Sequence, residues 1–223
     1  KSRGISRLDT VVVSHGDWDH ISAIRYILEA PEPEISVKRL MMPKAGEGQE
    51  IYMALETLAK KHGAAVVYAK SGDEFSGFLG KDVKITCLHP GEGKACENRN
   101  EESLVLEIRC GGFGLLLTGD VEEGGERAME KDRKLAPVTV LKAAHHGSDT
   151  SSKEEFIRAV NPLYVVLSYG EGNRYGHPAP DVVERLLRNG ARILKTAEMG
   201  AIEVRTDGKR MKVSGWLDRS GGI

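Results

Sequence analysis

Two histidines and two aspartates stand within six residues of one another: His15, Asp17, Asp19 and His20 in "SHGDWDH". Neutral imidazole and carboxylate are both good ligands for divalent metals. Two carboxylates held this close repel each other as anions, and a bound dication removes that cost. The cluster follows "LDTVVV", a β-branched run that reads as a buried strand. It therefore lies where the chain leaves a strand's carboxyl end, the place where ligands gather in α/β sheets. Gly16 lets the backbone turn tightly there. Capping of the next helix would use one aspartate and leave both histidines unexplained.

Three later segments repeat the pattern. "LLLTGD" ends an apolar strand in Asp120, "VLKAAHHGS" ends another in His145 and His146, and "GNRYGHP" places His177 in a glycine-bounded loop after "LYVVLSY". Each has an ordinary alternative: an N-cap for Asp120, a hydrogen-bonded buried pair for the two histidines, a turn braced by Pro178 for His177. Four strand ends with ligand-type side chains point instead to one shared mouth. Ser148 lies next to the histidine pair, and Asn173, Arg174 and Tyr175 beside His177 are able to contact phosphate, sugar and base. A polar turn is the alternative for that trio. His62, at a helix end, and His89, in "LHP", lack such company.

The elements that position these groups alternate. Helices are expected over "HISAIRYILEA", stopped by Pro31, over "EIYMALETLAKKHG", stopped by Gly63, and over "EEGGERAMEKD", "SKEEFIRAV" and "PDVVERLLRNG". Strands are expected at "VKRLMMP", "AAVVYA", "DVKITCLHP", "SLVLEIRC", "FGLLLTGD", "PVTVLK", "LYVVLS" and "ARILKTA", with a closing hairpin around Asp207-Gly208. This mixture predicts a layered α/β fold. The candidate linkers are "KAGEGQE", the long "HPGEGKACENRNEE" and the tail "LDRSGGI". Residues 1–216 are expected to form one domain, followed by a tail over 217–223.

A length of 223 residues suffices for one sizeable core. The formal net charge of −1 excludes a global basic field for capturing nucleic acid, so such a substrate needs local contacts or delivery. No apolar run is long enough to span a bilayer, and the first ten residues lack a signal-peptide core. Cys87, Cys96 and Cys110 lack zinc or redox spacing; Cys87 and Cys110 read as small strand residues.

His-x-Asp-x-Asp-His after a strand, then "LLLTGD", then "HHGS", resembles the metallo-β-lactamase superfamily. More narrowly, "SHGDWDH", "NEESLVLEI", "LLLTGDVE", "VLKAAHHGSDTSS", "SYGEGNRYGHP" and "GAIEVRTDGK", in this order, resemble the C-terminal hydrolase domain of ComEC-type DNA-uptake proteins. The resemblance implies a four-layer αββα sandwich with a one- or two-metal site at one edge. It implies His15 and Asp17 as ligands of a first metal, Asp19, His20 and His146 as ligands of a second, and Asp120 as the bridge. Either histidine of the pair fits the ligand role; His146 is preferred, with His145 and His177 contacting the substrate.

Two departures stand out. Asp17 takes a position where many members have histidine, and the usual histidine before the "LLLTGD" strand pair is replaced by "CENRNEES". Asn98, Asn100, Ser103 or water is the expected substitute. An oxygen-rich first site favours Mn²⁺ over the main rival, Zn²⁺. Members of the superfamily also open with strands carrying an Asp-Gly-Gly turn, and this sequence starts about where that region would end, so the opening strands are expected to be missing from it.

The implied function is a metal-dependent phosphodiesterase, a nuclease in which two divalent metals activate hydroxide for in-line attack on the DNA backbone. Its catalytic residues would be Asp19, His145 and His177. The partners are single-stranded DNA and a membrane channel in the same polypeptide, with no organic cofactor. The domain would be soluble, tethered at the extracytoplasmic face of the membrane, and would degrade the strand that is not imported. Two other readings are a free-standing, cytoplasmic hydrolase of a small phosphodiester or ester, and a catalytically weak module that guides DNA.

Overall fold

The computed structural model describes residues 4–30, 34–76, 80, 82–92, 96 and 98–217. In the first third of the chain, β-branched and apolar runs become a three-stranded parallel sheet and a separate two-stranded parallel pair. Strand β1 (Arg7–Leu8) pairs with β3 (Ser36–Val37); β2 (Val11–Val12) pairs with β4 (Arg39–Pro43), and β4 with β5 (Ala65–Ala69). Two helices connect these strands, α1 (Trp18–Glu29) and α2 (Glu50–Lys61). Each buries one stripe at helical spacing: Ile21, Ile24 and Leu28 on α1, and Tyr52, Leu55 and Ala59 on α2. Ala30 after α1 is extended, the conformation preferred by a residue that precedes a proline.

The rest of the chain builds a seven-stranded sheet. Strands β6 (Glu74–Ser76), β7 (Val83–His89), β8 (Val105–Cys110) and β9 (Phe113–Leu117) form an antiparallel meander. Helix α3 (Glu123–Lys131) then leads to β10 (Val140–Lys142), α4 (Glu154–Val160) to β11 (Tyr164–Leu167), and α5 (Pro180–Arg188) to β12 (Arg192–Lys195). Here β9, β10, β11 and β12 run parallel, in the sheet order β12-β11-β10-β9-β8-β7-β6. A short helix α6 (Thr196–Met199) precedes the hairpin of β13 (Ile202–Thr206) and β14 (Met211–Gly215), which turns through Asp207 and Gly208. That hairpin docks on the β8–β9 turn: Gly112 N–H donates to Gly208 O at 2.8 Å.

Three apolar clusters define the layers. One packs α1 and α2 on the small sheet through Ile21, Leu28, Tyr52 and Leu55 against Leu40 and Met42. A second packs α3, α4 and α5 on the large sheet through Met129, Phe156, Ile157 and Val182 against Leu116, Leu141 and Val165. The third lies between the sheets, where Met41 and Ala69 meet Ile85, Cys87, Leu104 and Leu106. The order is therefore helices, small sheet, large sheet, helices, the four-layer sandwich expected. The small sheet carries three strands, with the two-residue β2 on one edge.

Two expectations need correction, and one strand is new. "KAGEGQE" is not a linker: Lys44–Gly46 is a 3-10 turn against α2, and a Cβ on Gly46 would lie 2.1 Å from the Tyr52 ring. "LDTVVVS" is not one strand: Leu8 ends β1, Asp9 and Thr10 break the run at a bend, and Val11–Val12 form β2. The segment "EFS", too short to carry a pattern, forms the edge strand β6. Part of "HPGEGKACENRNEE" and residues 218–223 lie outside the described residues.

All four ligand-bearing segments leave strands at their carboxyl ends: after β2 in the small sheet, and after β9, β10 and β11, adjacent parallel strands in the large one. Leu104 N–H donates to Ser14 O at 2.8 Å and ties the two sheets together beside this edge.

Candidate metal centre

The centre has a buried floor. His15 is 1% exposed, and its Nδ1 contacts Ser14 Oγ at 3.2 Å and Ser103 Oγ at 3.3 Å. His20 Nδ1 contacts Ser14 Oγ at 2.9 Å, and the two imidazole centroids are 4.1 Å apart. These hydroxyl contacts fix both rings and leave Nε2 of His15 and of His20 as buried atoms without a well-aligned hydrogen bond, that of His20 only in ion-pair range of Asp120. Buried polar atoms are rarely left so. Both nitrogens converge with Asp120, their ligand atoms lying within 4.8 Å of one another. Burial, then the neighbouring His20, lowers the His15 pKa to about 4, so its ring is neutral at pH 7 and has a lone pair to offer.

Asp120 is 3% exposed. It does not cap α3, which starts at Glu123. Its backbone N–H donates to Ser103 Oγ at 3.0 Å, and its carboxylate has His20 Nε2 at 3.2 Å, His146 Nε2 at 3.3 Å and Lys142 Nζ at 3.4 Å. Burial pushes the carboxyl pKa up, but His146 and His20 beside it and the charge of Lys142 outweigh burial and hold it far below the usual carboxylate range. Gly119, at φ +55°, makes the close approach possible: a Cβ there would lie 2.9 Å from the side chains of Ser103 and Ser14.

The histidine pair is separated by its backbone. His145 (φ 46°, ψ 45°) and His146 (φ 55°, ψ 15°) are both left-handed, at a cost of about 1–2 kcal/mol each. Gly147 follows at φ +88°. The rings fan out, with centroids 6.4 Å apart and planes at 64°. His146 turns to Asp120 and to Asp19 Oδ2, 3.6 Å away, while its Nδ1–H donates to Ser168 O at 2.7 Å. That bond places the proton on Nδ1 and leaves Nε2 as the donor toward a cation. Asp120 raises the His146 pKa against the effect of burial. His145 turns the other way: its Nδ1 lies 3.2 Å from Thr150 Oγ1 and 3.4 Å from Glu122 Oε1.

Asp17 occupies the N-cap position of α1 but makes no side-chain cap. Its carboxylate lies 3.7 Å from His15 Nε2 and 3.3 Å from Arg99 Nη1. Asp19, Asp120 and the three histidines His15, His20 and His146 thus surround one region in two overlapping donor groups, His15–His20–Asp120 and Asp19–His20–His146. Paired orphaned nitrogens, an ionised carboxylate and mixed N/O donors fit divalent metal ions.

The expected substitutes for the missing histidine are engaged elsewhere. Asn98 and Asn100 donate their amides to the two oxygens of Glu122, at 2.9 and 3.1 Å, and Ser103 holds His15 and the Asp120 backbone. On the far wall, His177 lies with its ring 5.6 Å from that of His145, and Tyr175 stacks on His177 at 6.0 Å and 16°. Burial, with His145 and His146 nearby, lowers the His177 pKa. Arg174 is exposed. Asn173 braces the loop instead of opening outward: its Nδ2 donates to His177 O at 2.7 Å and its Oδ1 accepts the His177 N–H at 3.0 Å. Ser148, 3% exposed, turns its hydroxyl onto Thr150 and does not face the mouth.

Sequence reasoning missed Ser14, Arg99, Glu122 and Lys142, and gave Ser103 a ligand's role. Lys142 had a signal, a charge inside the apolar run "TVLKAA". Burial lowers its pKa against the pull of Asp120.

Residues 1–171 match the metallo-β-lactamase superfamily. The chain is 34% identical over 204 residues to ComE operon protein 3 of Bacillus subtilis, covering 92% of the chain and 25% of that protein. It is 32% identical to competence protein ComA of Neisseria gonorrhoeae, covering 90% and 26%, and 28% identical to recombination protein 2 of Haemophilus influenzae, covering 92% and 23%. The chain spans about a quarter of the length of these curated relatives. Among solved structures it resembles CmlA, a diiron β-hydroxylase from Streptomyces venezuelae, with a TM-score of 0.56 and 16% identity over 85% of this chain and 44% of that one. A Parabacteroides distasonis protein assigned as a metal-dependent hydrolase gives 0.53 and 15% over 88% and 80%. At these identities the two structures speak to the fold alone.

Proposed function

The chain belongs to the metallo-β-lactamase superfamily, and from that footing we propose that it is a metal-dependent phosphodiesterase, a nuclease acting on DNA. The observation that carries the metal-dependent part is the convergence of two orphaned, buried imidazole nitrogens on the ionised Asp120. The DNA part rests on the relatives, two of which bear competence or recombination in their names.

In this reading His15, Asp17 and Asp120 hold one divalent cation, and Asp19, His20, His146 and Asp120 a second. The first set has one nitrogen and is otherwise oxygen, which favours Mn²⁺, with Zn²⁺ the rival. When bound, such cations acidify water and neutralise charge building up on a phosphate. Lys142 holds Asp120 ionised and in place. Glu122, itself fixed by Asn98 and Asn100, orients His145 together with Thr150, so that the other ring nitrogen is turned toward the substrate. His145 or His177 gives a proton from Nε2 to the leaving oxygen as the P–O bond breaks.

The chain works in this proposal as one domain of a longer DNA-uptake protein, tethered at the outer face of the membrane and fed a single strand by a channel in the same polypeptide. Among the described residues no helix is long and apolar enough to cross a membrane. Delivery by a channel accounts for a net charge of only −1.

The test is cleavage of an end-labelled single-stranded oligonucleotide by chelator-treated protein resupplied with Mn²⁺, Zn²⁺ or Mg²⁺, beside Asp120→Ala and with bis(p-nitrophenyl) phosphate as a small diester. Metal-dependent cutting lost in the variant supports the nuclease. Turnover of the small diester alone supports a small-ester hydrolase, and binding without cutting by any metal supports a guide module.

A further inference from the structure

Aromatic side chains make up only 5% of the sequence, yet two large exposed rings stand at the rim of the centre. Trp18, 65% exposed, sits between Asp17 and Asp19 at the start of α1. Tyr175, 76% exposed, lies two residues before His177. A ring of this size can bury about 150–250 Å² against a partner, so each retains a flat apolar surface beside the site that a planar ligand could cover. The two rings come from the two halves of the sandwich, Trp18 from the connection after β2 and Tyr175 from the connection after β11.

Both rings are held. The Arg25 guanidinium lies 5.5 Å from the Trp18 ring centroid and is itself fixed by Nε and Nη2 on Glu29 Oε1, at 3.0 and 2.6 Å. Tyr175 stacks on His177, whose loop Asn173 clamps. From His20 the rings of His146, His145, His177 and Tyr175 follow one another at steps of 5.6, 6.4, 5.6 and 6.0 Å. The metal donors thus connect through successive rings to Tyr175, while Trp18 is flanked in the chain by Asp17 and Asp19, with Arg99 and Arg174 as exposed local cations.

We propose that Trp18 and Tyr175 are paired stacking platforms that take bases of an unpaired nucleic-acid strand on either side of the metal centre. This rests on the nuclease reading for its substrate class, and adds the feature that selects single strands. In a duplex the base faces are already stacked within the helix, whereas a single strand can splay them onto protein rings. Every base has a π-face, so the selection carries little sequence preference. Stacking also supplies affinity that a net charge of −1 does not.

The experiment follows Trp18 emission in a Trp216→Phe background, in chelator so that no strand is cut. The probes are dT12, an abasic strand of the same length and phosphate count, and a 12-base-pair duplex. Stacking predicts quenching by dT12 and not by the duplex, with dT12 bound about tenfold tighter than the abasic strand. Binding measured by anisotropy should weaken about fivefold or more for dT12 in Trp18→Leu and in Tyr175→Leu, while abasic binding stays unchanged. Trp18→Phe should restore most of the dT12 affinity where Trp18→Leu does not, and thermal melting checks that each variant is folded. Equal affinity for dT12 and the abasic strand, equal quenching by the duplex, or wild-type dT12 affinity in Trp18→Leu would overturn the proposal while leaving DNA cleavage intact. Quenching by dT12 in a protein that fails to cut DNA whichever metal is supplied would keep the platforms and overturn the nuclease.

Discussion

The floor and the rim of the centre are built on opposite principles. On the floor, His15, His20, Asp120, Ser103 and Lys142 are each held from at least two directions, and His15, Asp120 and Ser103 are nearly out of solvent. On the rim, Asp19 is 67% exposed, and Trp18 and Tyr175 are largely in water. The floor spends backbone strain and buried polar atoms on a fixed donor set; the rim keeps its reach. Under the proposed function the difference divides the labour: the floor would decide whether a cation binds, and the rim what the cation meets.

Variants test that division. The largest effect belongs to the floor: Asp120→Ala should lower metal-dependent cleavage by at least about a thousandfold and strip bound metal, read by rate assay and elemental analysis together. The histidine pair, where floor meets rim, is the sharpest contrast. His146→Ala should lose metal, whereas His145→Ala should keep it and lose about 10²–10⁴-fold in rate. Equal metal loss in both would erase the boundary. A smaller change is expected from Ser103→Ala, which removes a hydroxyl from His15 and from the Asp120 backbone: metal affinity should fall about 10–100-fold, with the rate recovered in excess metal.

Least of all should the centre respond to Glu126, which contacts none of its donors directly and is held by Ser152 and Lys153. Its carboxyl is fully buried on α3 and accepts the N–H groups of Ser152 and Lys153, at 2.6 and 2.9 Å. Burial, despite these two donors, raises its pKa from 4.5 to about 8. The folded state then holds a proton that the unfolded state has released, so stability should fall as pH rises from 4.5 to about 8. Melting temperatures across that window should decline in wild type and decline less in Glu126→Gln. A steeper decline in the variant would reverse the sign.

The same contrast explains what the sequence made legible. Donor-type residues at strand ends are conspicuous, because polar side chains directly after apolar runs break a simple pattern; His15, Asp19, His20, Asp120 and His146, which the structure brings together, are legible that way, whereas Asp17 and His145 stand outside both donor groups. The helical stripes of α1 and α2 were legible for the same reason. Their supports were not. Ser14 and Ser103 are small hydroxyls with no pattern, and their role depends on two sheets meeting at the Leu104–Ser14 bond. Which histidine faces Asp120 is decided by two left-handed residues, a backbone choice that side-chain identity does not announce. Asn98 and Asn100 had the right chemistry for a ligand, but Glu122, two residues beyond Asp120, claims both amides.

The most direct test of the metal centre is the number of ions per chain after chelator treatment and reloading with Mn²⁺ or Zn²⁺, measured by elemental analysis in wild type and Asp120→Ala. The proposed ligand sets, with Asp120 common to both, predict two ions in wild type and a clear loss in the variant. Fewer than one tightly held ion in wild type, or an unchanged number without Asp120, would contradict it.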